Sequence, residues 1–519
     1  MLGRVWLLLA ALSCTPAFAQ TTLRVAASED LRALDPTWTT ADATQNFSYL
    51  VYETLFSLDR DLNPQPQMVE SFTISPDSLV YDFTLRPGLA FHDGSPVTSA
   101  DVVASLKRWM IRAVDGRILA ARLDRIEAVD SRRFTIRLKQ PFSMLLTSLA
   151  NPAATIPIIV RAADAQIDPA KPITTSIGSG PFVFEPESWV AGSHWRFHRN
   201  TAYVPRAEPP SGMAGGRLAK VDVVEFTYIP DPTTALNALR AGEIDIQQVV
   251  PYDLIPLLQR DPAIATKVVD PFGFQALIRP NSLQPPFDNP DARRALLYVA
   301  APSEYLTAMV GNNPGMQMPC LSPFMCAPGL PAPMAMQVPD QEKARALMHA
   351  AGYKGETVVV LAATDLPELY QVASILSQRL TEIGVKVDQQ TMDFATLAGR
   401  RANMDNPATN RNGWSLFATW RPRLTASGPI INSFLSTSCD QKNFYGWPCD
   451  ETLEHLRLSY LDAVTSEQKK AVMDAISARF AVVLPYIPIG DFSRPLAYRR
   501  TVSGILNAPV LVLWNVEKH

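Results

Sequence analysis

The 519-residue chain is short of the residue types that most often announce chemistry. It has six histidines and five cysteines, scattered rather than gathered. No H-E-x-x-H, G-x-S-x-G, P-loop or strand-following G-x-G-x-x-G occurs, which argues against the common zinc, serine-hydrolase and nucleotide-binding enzymes. Lys and Arg number 47 against 50 acids, a net charge of −3, and no basic run is long enough for a nucleic-acid footprint. Beyond residue 19 no segment is apolar enough to cross a bilayer core of about 30 Å. Glycine is scarce beside proline, 24 against 44, so turns and crossing segments are expected to be rigid.

What is present begins with an export signal. Arg4 precedes a short apolar core over 5–12, and Ala17-Phe18-Ala19 forms an A-x-A site before Gln20. The reading is cleavage after Ala19 and a periplasmic location. Lipid attachment at Cys14 is the rival, with Ala11 and Leu12 fitting its recognition box poorly. Four cysteines remain after cleavage: Cys320, Cys326, Cys439 and Cys449. In an oxidising compartment the simplest pairs are 320–326 and 439–449, although four cysteines allow three pairings. A metal site is the alternative, but the spacing is not C-x-x-C and no histidine is near.

The densest information lies in 70–108. Residues 80–86 alternate apolar and polar as a half-buried strand does. Pro87-Gly88 breaks it, Leu89-Ala90-Phe91 reads as a short strand, and His92-Asp93-Gly94 turns again. Thr98, with Asp101 three residues on, starts a helix whose stripe is Val102, Val103, Leu106 and Met110. Upstream, Leu23 to Ala27 reads as a strand and Leu34-Asp35-Pro36 as a turn. A helix bearing Tyr49, Leu50, Tyr52 and Leu55 is expected next. Downstream, Asp231-Pro232 opens a helix that Gly242 closes between strands at 221–226 and 244–246. A second alternating unit covers 342–392, and the two units together indicate α/β architecture with mixed sheets. Residues 313–339, with seven prolines and two cysteines, read as an ordered crossing loop.

The succession L-R-P-G, F-H-D-G, P-x-T-x-x-D-V-V-x-S-x-x-R resembles the peptide/nickel/oligopeptide family of ABC-transporter substrate-binding proteins. So do Ile177-Gly178-Ser179-Gly180-Pro181-Phe182, the stretch from Trp189 to Tyr203, and A-L-x-A-G-E-I-D at 238–245. The resemblance covers essentially the whole mature chain. It implies a two-lobed class II periplasmic binding protein with an extra domain inserted in the first lobe. Lobe 1 would comprise 20–60, 170–270 and 490–519, the inserted domain 61–169, and lobe 2 271–489. It further implies a monomer that closes on a small molecule or peptide and hands it to an inner-membrane permease and ATPase, without cofactor or catalysis. A clamp presenting ligand for signalling or chaperoning, or a secreted hydrolase, is the alternative.

In peptide carriers of the family a G-W-x-x-D pattern sets a carboxylate against the ligand's ammonium. Here Gly413 and Trp414 match but Phe417 stands at the acid's place, and no acid lies between Arg411 and Cys439. The ligand candidates are therefore aromatic and weakly polar: Trp414, Phe417, Thr419 and Trp420, with Trp38 and Tyr49 after the first strand. Phe274 and Gln275, beside Phe272, fall where the family's chain passes between lobes. Core packing is the competing account of each aromatic. Arg421 and Arg423 could attract an anionic ligand but read first as solvated surface arginines, and His92 reads as a structural hydrogen-bonder. His194 and His198 read as strand residues some 13 Å apart.

Overall fold

A computed structural model describes residues 20–39, 41–152, 155–169, 171–313 and 315–519. The expected export signal and Cys14 lie outside the described residues. Two mixed sheets organise the molecule, each with its own apolar core. The first runs in the order Phe182–Val190, His194–Arg199, Val223–Tyr228, Thr22–Ala27, Ile246–Gln247, Pro495–Arg499, Ile264–Val268. Its centre is parallel: Thr22–Ala27 pairs in parallel with both Val223–Tyr228 and Ile246–Gln247. The helix between them behaves as the sequence dictates. Asp231 accepts the Thr234 amide, Pro232 occupies the first turn, and Gly242 closes it in the left-handed region.

The second sheet orders Gln317–Met318, Ile487–Phe492, Phe274–Pro280, Leu416–Pro422, Val358–Ala363 and Val387–Met392. Helices such as Pro367–Glu382 pack its apolar face through Leu369, Val372 and Leu376. Four antiparallel strands, Val69–Ile74, Val80–Leu85, Arg133–Leu138 and Leu123–Ala128, form a third body with helix Ser99–Arg112. Thr98 and Asp101 make the expected capping box, the Thr98 amide donating to Asp101 at 2.8 Å.

The chain crosses between the two large sheets twice among the described residues. It passes from Ile264–Val268 to Phe274–Pro280 through 269–273, and returns from Ile487–Phe492 to Pro495–Arg499 through 493–494. The crossings touch: a Cβ on Gly273, whose φ is +67°, would lie 2.4 Å from the Phe492 carbonyl oxygen. Paired short crossings of this kind are what a hinge between two lobes requires.

Both expected cysteine pairs are bridged, Cys320–Cys326 and Cys439–Cys449. The first pins the 313–339 crossing loop. Two local expectations fail. The helix after the first strand stops at Val51, where the Tyr52 amide bonds Ser48 and the chain turns extended; Tyr52 and Leu55 lie past it. Leu89 to Phe91 keeps only one bridge, Ala90 to Pro96, because Pro96 has no amide to extend a ladder.

Candidate functional site

Three parallel strands of the first lobe release their carboxyl ends at one place. Ala26 and Ala27 end the first strand and Ser28 follows it, Ile229 and Pro230 follow the second, and Gln247 ends the third with Val249 and Val250 beyond it. All line a cavity of about 820 Å³. A crevice outside strand carboxyl ends is the usual ligand position in open α/β sheets. The opposite wall comes from lobe 2, where Met309 lies in the last turn of helix Pro302–Val310 with Asn312 just beyond it, and Glu368 and Gln371 lie near the start of helix Pro367–Glu382. Arg494, from the two-residue crossing, completes it. The volume suits a small organic solute, and apolar walls with a few polar points suit recognition of one.

Among the described residues Arg494 is held by rings rather than by acceptors. Its guanidinium lies 4.4 Å from the Trp420 ring centre and 4.9 Å from that of Phe274. Phe492 meets both rings, stacked on Phe274 and edge-on to Trp420. Tyr252 of lobe 1 donates to the Ser493 carbonyl at 3.0 Å, tying the crossing to the cavity rim. Nearby, the Glu29 carboxylate accepts the Asp42 amide at 3.0 Å, at the start of helix Asp42–Val51. Loss of hydration raises the pKa of Glu29, the Asp42 charge raises it further, and Arg494 opposes both. Loss of hydration raises Asp42 as well, again against Arg494.

The residues singled out from sequence separate into three groups. Trp420 and Phe274 converge on Arg494 at the hinge. Trp414 and Phe417 are wholly buried in lobe 2, where their rings meet edge-on and Trp414 donates to the Asn403 carbonyl. Gln275 and Thr419 are buried in the same sheet, Gln275 accepting from Arg421. Tyr49 packs on Trp514 in the lobe 1 core, and Trp38 is exposed under Arg112. None of the eight is in the cavity lining itself. Arg421 and Arg423 are not surface residues. Both are buried, Arg421 bonded to Gln275, Tyr486 and Asn432, Arg423 paired with Asp491 at 2.9 Å. Their acceptors come from strands and loops far along the chain, which a local reading cannot see. His194 bonds Ser193 and His198 bonds Glu185, both on one strand. Sequence reasoning missed Arg494 and Tyr252, both in the cavity lining. The one available signal was a lone arginine in a two-residue link between sheets.

The other crossing carries Asp270, pushed up to about 7 by burial, against the backbone amides of Phe272 and Gly273. A carboxyl whose folded pKa exceeds its unfolded one favours the native state only while protonated. The penalty is absent below about pH 4, grows through pH 7 and is full above. Asp270→Asn is therefore expected to stabilise the chain by about 2 kcal/mol at pH 8 and not at pH 4, measured by urea unfolding. Equal stability of the two proteins at pH 8 would contradict it.

Comparison with known proteins follows the same outline. Residues 63–440 match the model of bacterial extracellular solute-binding proteins, family 5 Middle. A probable peptide ABC transporter periplasmic-binding protein, y4tO of Sinorhizobium fredii, is 37% identical over 97% of this chain and 94% of its own length. Among solved structures, AgaA of A. tumefaciens R10 in complex with agropinic acid superposes with a TM-score of 0.78 at 22% identity, covering 96% of this chain and 99% of that one. The oligopeptide-binding protein AppA of Bacillus subtilis, in complex with a nonapeptide, gives 0.78 at 18%, covering 96% and 98%. With the two sheets, the paired crossings and the crevice between them, the chain belongs to the bacterial extracellular solute-binding proteins of family 5.

Proposed function

We propose that this protein is the periplasmic capture component of an ABC importer. It closes its two lobes over a small solute and delivers that solute, chemically unchanged, to a membrane permease and its ATPase. The observation that carries the reading is the cavity itself, lined from each lobe and by Arg494 of a crossing segment. A ligand touching both walls binds the closed form better than the open one, and only such a difference shifts the equilibrium. Peptides are the first ligand class to test, given the naming of the Sinorhizobium relative.

The test has two readouts on one preparation. Ligand released from gently purified protein is identified by mass spectrometry, then added back to stripped protein during small-angle scattering. The expected result is one solute class at near one-to-one stoichiometry, a smaller radius of gyration on saturation, and recovery of the solute at unchanged mass. Unaltered dimensions with a tightly bound solute would defeat the closure reading; a solute returned with a broken bond would defeat the carrier reading.

A further inference from the structure

The third body, the four-stranded sheet with helix Ser99–Arg112, is fastened at two places of unequal strength. Toward lobe 1 the grip is deep. Arg108 pairs with the buried Asp35 at 3.0 Å. The His92 amide donates to the Gly178 carbonyl, and two residues on the Gly180 amide donates to Val51. Leu55, Phe56 and Leu58, which follow helix Asp42–Val51, sit in the third body's apolar core. Parting these would strand a buried charge pair, so the third body moves with lobe 1.

The other attachment is to lobe 2. Leu424, Ile430 and Leu461, each at most 3% exposed, belong to the same apolar cluster as Phe142, Met144 and Leu145, which follow strand Arg133–Leu138. Their own chain is anchored elsewhere. Leu424 comes just after strand Leu416–Pro422 of the second sheet. Leu461 lies between helices Glu451–Ser459 and Ser466–Val483, which send Leu453, Met473 and Ile476 into the core of that sheet. Tyr460 packs against both cores. The polar rim is slight. Ser143 donates its amide to the Leu461 carbonyl at 3.4 Å and its hydroxyl to that of Tyr460 at 3.2 Å, while Lys469 reaches the Ser143 carbonyl at 3.3 Å. Arg122 pairs with Asp462 at 2.7 Å, but the Asp462 side chain is 64% exposed, and such a pair contributes little.

Among the described residues the backbone links the two large sheets at 269–273 and 493–494. A swing of the lobes about those crossings must break one of the two attachments. The one to lobe 2 yields first, because it is apolar and holds no buried charge pair. Resting on the capture reading above, we propose that the contact of Met144 and its neighbours with Leu424, Ile430 and Leu461 is a clasp, made when the lobes close and broken when they open. None of these residues lines the cavity. The clasp therefore sets how tightly a solute is held without reading which solute it is. A contact made only in the closed form enters every dissociation constant through the closed fraction.

The probe is the solute released from the purified protein, titrated calorimetrically back into the stripped full mature chain. Wild type is compared with Leu461→Ala, with Asp462→Lys, and with the swapped pair Arg122→Asp and Asp462→Arg. Leu461→Ala should weaken binding at least about 10-fold, the share of one buried leucine. Asp462→Lys should weaken it about 3-fold, and the swapped pair should recover most of that, which general damage to the fold would not do. Hydrogen exchange over 142–145 should slow when wild type is loaded, while exchange over 80–85, in the same body's sheet, stays unchanged. Equal binding by all the proteins overturns the clasp and leaves capture standing. Equal exchange over 142–145 with and without solute makes the contact permanent and overturns the clasp as well. A wild type that does not rebind the solute released from it takes both readings down. Should Leu461→Ala not fold, Asp462→Lys and its swap decide, since that side chain lies at the surface.

Discussion

Gly178→Ala is expected to destabilise the protein by more than about 4 kcal/mol, the range reserved for substitutions that force the backbone apart. A Cβ at this position would fall 1.9 Å from the Val51 carbonyl oxygen and 2.8 Å from the Tyr52 ring. Backbone cannot yield there, because the same strip is bonded on both sides. The Gly180 amide donates to Val51 at 2.8 Å, and the His92 amide donates to Gly178 at 2.8 Å. The His92 ring adds two more bonds, Nδ1 accepting the Gly178 amide at 3.3 Å and Nε2 reaching the Gly180 carbonyl at 3.1 Å. That arrangement needs the neutral ring, and burial holds the His92 pKa below its ordinary value. Ser179 supplies the control. It is buried in the same turn, but its hydroxyl has no partner among the described residues, so Ser179→Ala should change stability by under about 1 kcal/mol. Urea midpoints of the two variants give the comparison. A Gly178→Ala protein as stable as Ser179→Ala would refute the steric account.

This turn shows what a sequence can disclose. The G-S-G-P and F-H-D-G elements stand out as motifs, and His92 reads as a structural bonder, yet nothing in either motif says that they bond each other 86 residues apart. Local grammar was legible: Asp231-Pro232 to Gly242, and Thr98 with Asp101, follow rules that act within four residues. Facing was not. Leu416–Pro422 lies in a sheet covered on both sides, Leu416 and Ala418 entering one core and Phe417 another, so the strand shows no alternation to orient it. For that reason Trp414 and Phe417 could not be told from Trp420, which shares a strand with Phe417 but meets the hinge. Charge state was hidden too. Arg423 and Arg494 look alike in a sequence, and only the tertiary fold gives one an acid and leaves the other without one among the described residues.

Breaking the ion pair of Asp35 and Arg108 is expected to cost about 3–5 kcal/mol, because each single substitution strands a buried charge. The pair is 3.0 Å apart, with the two side chains 0% and 2% exposed. Asp35 also accepts from the amides of Thr37 and Ile173 at 2.8 Å each, and Arg108 donates to the Lys171 and Ile167 carbonyls at 2.6 and 2.7 Å. One carboxylate therefore joins the loop after the first strand, the helix Ser99–Arg112 and the return chain near residue 173. Asp35→Asn keeps the amide contacts and should lose less than Asp35→Ala. In a double-mutant cycle with Arg108→Met, the combined loss should fall short of the sum by at least about 1 kcal/mol. Simple additivity would mean that the two side chains act separately, through their backbone partners alone. The loop so anchored is the one that brings Ser28 to the cavity and Glu29 to the start of helix Asp42–Val51. A loop without regular structure keeps its shape only if something fixes it, and here a buried charge pair to helix Ser99–Arg112 does so.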